Sequence, residues 1–106
     1  MSISRNKVGL LKTVADEYAR FGITVNTVAP GWIGTQNAYD YLKANVGLKT
    51  DEDIAEWMRS SARVPAGRMG KPAEIASLVA YLCSEQAGYL TGNWIEVDGG
   101  KHRSAF

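Results

Sequence analysis

Val25-Asn26-Thr27-Val28-Ala29-Pro30-Gly31-Trp32-Ile33-Gly34-Thr35 is the stretch that decides how this chain folds. A run of β-branched and small residues stops at Pro-Gly, which reads as a buried strand with a break at its carboxyl end. Within residues 23–29 the outward positions, Thr24 and Asn26, are small rather than charged. The strand is therefore expected to be covered on both faces. In open parallel α/β sheets, ligands sit in the crevice outside the carboxyl ends of strands. Residues 30–35 are thus the predicted contact with a small molecule.

The elements on either side extend the pattern. Before the strand, Val8, Leu11, Val14, Ala15 and Tyr18 recur at helical spacing, and Gly22 is a suitable stop. After it, residues 36–61 carry Tyr39, Tyr41, Trp57 and Met58 among charged and amide side chains. A short helix over 38–45 is predicted there. A second, over 51–61, is opened by Thr50 as N-cap with Asp51, Glu52 and Asp53 in its first turn. This insertion reads either as a lid over the crevice or as a surface hairpin packed on the core. The loop Val64-Pro65-Ala66-Gly67-Arg68-Met69-Gly70-Lys71-Pro72 leads to a helix over 73–84, with Ile75, Leu78, Val79 and Leu82 facing a core. Residues 93–97 form the second strand, and Asp98-Gly99-Gly100 is expected to turn the chain at its end.

The order is helix, strand, helical insertion, helix, strand. A strand–helix–strand crossover implies a parallel pair. Two parallel strands make a poor sheet alone. The fold class is therefore α/β, and the whole chain, residues 1–106, reads as one partial domain at the end of a larger doubly wound parallel sheet.

Composition excludes several functions. Lys plus Arg number 12 and Asp plus Glu 11, a formal net charge of +1, so no electrostatic footprint for nucleic acid or an anionic membrane is present. Hydrophobic residues make up 45% of the chain, as in ordinary globular proteins. Apolar runs fall short of a membrane span, and the first residues lack the apolar stretch of a signal peptide. The single cysteine, Cys83, cannot close an internal disulfide and is expected to be a buried small hydrophobe, favouring a cytoplasmic location. His102 is a lone histidine in a polar tail, and a metal site needs more ligands, so no metal is expected.

Four motifs in register carry a family resemblance: Val25-Asn26 with Pro30-Gly31-Trp32-Ile33-Gly34-Thr35, then Gly67-Arg68-Met69-Gly70-Lys71-Pro72-Ala73-Glu74-Ile75, then Tyr89-Leu90-Thr91-Gly92, then Val97-Asp98-Gly99-Gly100. Together they resemble the C-terminal part of a short-chain dehydrogenase/reductase, nearest to the 3-oxoacyl-carrier-protein reductase-like members. The resemblance implies a Rossmann-type fold and an oxidoreductase that moves hydride between NAD or NADP and a small ketone or alcohol. It also implies a homo-oligomer, or association with another subunit of the family. Pro30 and Gly31 would line the nicotinamide pocket, Ile33 would offer its backbone to the carboxamide, and Thr35 its hydroxyl to the carboxamide or pyrophosphate. The alternative from the residues alone is that Pro-Gly ends a strand and Thr35 caps the next helix. Trp32, Tyr39 and Trp57 are the candidate substrate-lid residues; Trp32 either shapes the entrance or packs under the lid. Arg68 and Glu74 are expected to anchor the loop to the following helix.

The departures from the family bear on catalysis. No G-x-G-x-x-G occurs in these 106 residues. By the family's spacing, the lysine of its Tyr-x-x-x-Lys pair falls at Ser4 and the tyrosine before Met1. Lys7 lies one turn later, with Ile3 four residues before it, and is the one candidate catalytic lysine. A literal Tyr39-Asp40-Tyr41-Leu42-Lys43 would put both side chains on one helix face, but it follows the Pro-Gly strand instead of preceding it. The isolated chain is expected to lack hydride-transfer activity, and a non-catalytic remnant or association module is the alternative.

Overall fold

The computed structural model describes residues 5–102. Helix α1 spans Arg5–Ala19 and strand β1 Thr27–Pro30. Helix α2, Gln36–Tyr41, runs into a π-helical turn, Leu42–Val46, and helix α3 covers Asp51–Ser60. Helix α4, Pro72–Leu82, a short 3-10 turn at Glu85–Ala87 and strand β2, Trp94–Val97, complete the order. Ser4 and Ile3 lie outside the described residues. Lys7 is exposed in the first turns of α1.

The sheet is the expected parallel pair, with Thr27 opposite Trp94 and Pro30 opposite Val97. It is shorter than the β-branched run suggests. Ahead of β1 a side-chain clamp replaces the ladder. Asn26 donates from Nδ2 to the Leu90 carbonyl at 3.0 Å, and its Oδ1 accepts from the Asn93 N–H at 3.1 Å and the Asn93 Nδ2 at 3.0 Å. The Val25 N–H donates to Thr91 Oγ1 at 3.0 Å, and the Gly92 N–H to the Val25 carbonyl at 2.8 Å. Side chains thus satisfy backbone groups that the ladder leaves open.

Helix ends follow local chemistry. Gly22 ends α1 in the left-handed region, φ +76°, where a residue without Cβ is unstrained. Thr50 and Asp53 form a reciprocal capping box at α3. Pro72 occupies the first turn of α4, where its missing N–H costs nothing.

The largest buried cluster lies in the helical insertion and the loop that follows it, while Leu11 and Ala15 of α1 and Ala87 of the 3-10 turn are buried separately. Leu42, Ile54, Met58, Ala62, Val64 and Met69 form one buried cluster, flanked by Trp32, Tyr39 and Trp57. By contrast, β1 and β2 are only half-buried, so the expected two-sided cover is corrected. In α4, Ile75, Leu78 and Leu82 are half-buried and Val79 is 43% exposed, which corrects its reading as a core-facing helix. Cys83, at the C-cap of α4, is exposed rather than buried. The reason is shared: among the described residues no further layer covers this side. The chain is accordingly extended, 51 × 27 × 21 Å, with a radius of gyration of 16.4 Å. A compact chain of this length would have about 13 Å. No described helix is long and apolar enough to cross a membrane.

Candidate functional site

The corner after β1 is held from below by two backbone approaches. The Gly31 N–H donates to the Val97 carbonyl at 3.0 Å, continuing the ladder. A Cβ on Gly31 would stand 2.7 Å from Asp98 Cβ and 2.9 Å from its Cα. The close approach that this glycine permits is therefore to the last strand's own turn. Further on, Ile33 bridges Gly70 in parallel fashion. The Gly34 N–H donates to the Gly70 carbonyl, and the Gly70 N–H to the Trp32 carbonyl, both at 2.8 Å. A Cβ on Gly70 would meet Ile33 Cδ1 at 2.9 Å. Gly31, Gly34 and Gly70 thus let three chain segments meet at one point.

Thr35 is the N-cap of α2: its Oγ1 accepts from the Ala38 N–H at 3.2 Å. The capping alternative is realised, and the hydroxyl keeps its own proton to donate elsewhere. Pro30, Gly31 and Thr35 are exposed, and Ile33 is half-buried.

Trp32 leaves the corner and packs on the helical core. Its ring meets Trp57 edge-on at 5.5 Å between centroids and Tyr41 at 6.1 Å. Tyr39 turns the other way, placing its hydroxyl 3.2 Å from the position a Gly34 Cβ would take. It lines a cavity of about 230 Å³ with Gly34, Ile54, Arg68, Met69 and Gly70. Lys43 sits exposed in the π-helical turn that continues α2.

The Gly70 loop is fixed by an ion pair. Arg68 Nη1 and Nη2 donate to Glu74 Oε1 at 2.7 Å and Oε2 at 3.1 Å. Arg68 also donates to the Met69 carbonyl at 3.0 Å, and Glu74 Oε1 accepts from the Lys71 N–H at 2.9 Å. The Arg68 guanidinium, then the Lys71 N–H, pull the Glu74 carboxyl down to about 2. The same pair raises Arg68 above its ordinary value. The expected anchor between loop and helix is borne out, and it steadies the segment that supports Ile33 and Gly34.

Sequence reasoning placed Gly34 within the 30–35 stretch but missed Gly70 and Asp98 as parts of this corner. Gly70 carries a signal, a glycine between Met69 and Lys71 ahead of a helix N-terminus, but its partner strand is remote in sequence. Among the described residues no three His, Cys, Asp or Glu side chains gather as metal ligands.

The chain is similar to known proteins over most of its length. A family model described as Enoyl-(Acyl carrier protein) reductase matches residues 4–102. A 3-oxoacyl-[acyl-carrier-protein] reductase from Vibrio cholerae is 46% identical over 95 residues, covering 90% of this chain and 34% of its own. A short chain oxidoreductase from Pseudomonas aeruginosa PAO1, with an atypical catalytic center, superposes with a TM-score of 0.79 at 30% identity. That match covers 94% of this chain and 38% of the other. The same oxidoreductase has been solved with NADPH bound and superposes with a TM-score of 0.78. This chain therefore spans about a third of the length of the relatives it matches.

Proposed function

We infer function from one premise: the chain belongs to the short-chain dehydrogenase/reductase family and is similar to its 3-oxoacyl-carrier-protein reductases. From there we propose that its residues form the nicotinamide end of a site for hydride transfer between NAD or NADP and a small ketone or alcohol. The NADPH held by the Pseudomonas oxidoreductase supports NADP as the cofactor.

One observation carries the reading. The carboxyl end of β1 opens into a corner of exposed backbone, with Pro30 and Gly31 at solvent and a Thr35 hydroxyl that retains a proton. A carboxamide needs both donors and acceptors, and this corner offers backbone groups and one hydroxyl, so the residues fit that group. Pro30 and Gly31 would line the ring, Ile33 would meet the carboxamide through its backbone, and Thr35 would donate to it. Residues 36–61 would act as the lid, with Trp32, Tyr39 and Trp57 on its inner side. When bound, the cofactor supplies or accepts the hydride; the chain's own residues hold and orient the ring.

Reduction of a ketone also needs a proton for the forming alkoxide, a task for a positioned acid. Tyr39 and Lys43 lie after β1, in the helical insertion, and Lys7 is exposed on α1. We therefore propose that residues 1–106 alone bind the nicotinamide end weakly and do not turn over ketones. A cytoplasmic location fits the single cysteine and the balanced charge.

The test titrates the chain with nicotinamide mononucleotide and, separately, with adenosine diphosphate, following backbone amide shifts. Shifts at Gly31, Ile33, Gly34 and Thr35 with the first ligand alone are expected. No response at that corner at millimolar mononucleotide would end the reading, and nicotinamide-dependent turnover by the purified chain would overturn the inactivity.

A second reading rests on its own observation. Leu10, Phe21 and Ile23 are 66%, 63% and 48% exposed, and Tyr81 is 49% exposed. Such surface favours association. The chain would then pair with a copy of itself or with another subunit of the family, and a monodisperse monomer on size exclusion would argue against it.

A further inference from the structure

The polar segment after β2 reaches back to residues 62–66, the segment that follows the helical insertion. The Lys101 ammonium donates to the Ala62 carbonyl, 39 residues away in the chain. That carbonyl lies just past the C-terminal end of α3, where the helix leaves partial negative charge. Beside this bond the Ala66 N–H donates to the Gly99 carbonyl at 3.0 Å. A Cβ on Gly99 would meet Val64 Cγ1 at 2.8 Å, and one on Gly100 would meet Pro65 Cγ at 3.3 Å. Asp98 holds the turn itself, accepting from the Gly100 N–H at 3.0 Å and the His102 N–H at 2.8 Å. The other side of Asp98 is the residue against which Gly31 closes. The turn is thus wedged between the cofactor corner and the segment by which the helical insertion returns to the fold.

We propose that Lys101 is a positioning residue that straps the end of the helical insertion to the Asp98 turn and so sets the geometry of the Gly31 corner. The inference rests on reading that corner as the nicotinamide site. The strap itself is a matter of this chain's own contacts, so the two can fail separately.

The experiment compares the full chain with Lys101→Met and Lys101→Arg by amide hydrogen exchange and by nicotinamide mononucleotide titration. In Lys101→Met the Ala66 and Val64 amides are expected to exchange about tenfold faster or more, the scale of one charge-assisted hydrogen bond. The Thr27 and Gly92 amides, which join the strands, are expected to keep their rates. Mononucleotide affinity is expected to fall several-fold, and Lys101→Arg to restore both readouts. Unchanged exchange at Ala66, or equal acceleration at Thr27 and Gly92, would overturn the strap. Faster exchange at Ala66 with wild-type affinity intact would overturn its control of the corner. A wild-type chain that does not bind mononucleotide would overturn the nicotinamide reading and with it the positioning role, while exchange at Ala66 would still decide whether Lys101 is a strap.

Discussion

In the helical insertion Leu42 and Met58 expose no surface, whereas no residue of β1 or β2 is buried. The two regions are held by different forces. The insertion closes on itself through apolar contacts among elements near one another in sequence, so most of its burial is local. The sheet joins segments far apart in the chain and relies on register and on the Asn26 clamp. Apolar burial scales with area removed from water, while a hydrogen bond contributes a modest net amount. The insertion is therefore expected to carry most of the stability that these residues generate, and the sheet to be the more easily opened part.

The largest expected effect tests that contrast directly. Met58→Ala is expected to cost about 2–5 kcal/mol, because the cavity lies in a closed cluster. Val79→Ala, on the open face of α4, is expected to change stability by less than about 0.5 kcal/mol. Urea unfolding followed by tryptophan fluorescence reads both. Equal losses would erase the distinction between the regions.

The joint between the regions comes next. Gly31→Ala drives a Cβ into the Asp98 backbone, which cannot swing aside as a flexible side chain can. Overpacking of this kind costs about 1–3 kcal/mol. The expected signature is local: amide shifts at Asp98 and Gly99, and a weaker response of the corner to mononucleotide, with the Met58 cluster unmoved. A wild-type response would show that the corner tolerates displacement of β2's turn.

Within the insertion alone, Thr50→Ala removes the side chain that accepts from the Asp53 N–H at 3.1 Å. Its expected cost is about 1 kcal/mol. Thermal unfolding would show it, and faster exchange confined to the first turn of α3 would separate fraying from global loss.

What could be read from the amino acids follows the same division. Thr50 at the start of α3, Arg68 with Glu74, Gly22 and the Asp98-Gly99-Gly100 turn are local devices, each acting within a few residues. All four were legible. Asn26 looked like a small outward strand position, because its partners Leu90 and Asn93 lie at the other end of the chain. Lys101 looked like part of a polar tail for the same reason. The reading of α4 and Cys83 as buried assumed that an apolar stripe is covered wherever it occurs. A stripe states only which side prefers to leave water, and the described residues place nothing over it. The corner proposed for the nicotinamide was legible as a position at the end of β1, but its three-glycine junction depended on Gly70 and Asp98 arriving from remote segments.

The smallest expected effect concerns Glu74, which ties the Gly70 loop to α4. Its carboxyl is held at about 2 against an ordinary value of 4.5, chiefly by Arg68. A depressed folded value means that the unfolded chain takes up the proton first as pH falls. The pair's contribution is therefore full above about 4.5 and is lost as pH drops toward about 2. Both side chains are well exposed, 54% for Arg68 and 42% for Glu74, so solvent screens the attraction and the contribution is small. The expected outcome is a local acid transition at the Lys71 and Gly70 amides, while the Met58 cluster, which contains no titratable side chain, does not report it. Glu74→Gln should abolish that transition without lowering stability much at neutral pH. If the variant and the parent respond to acid alike, the ion pair does not govern the loop, and the support beneath Ile33 and Gly34 must come from the backbone bonds to Gly70 alone.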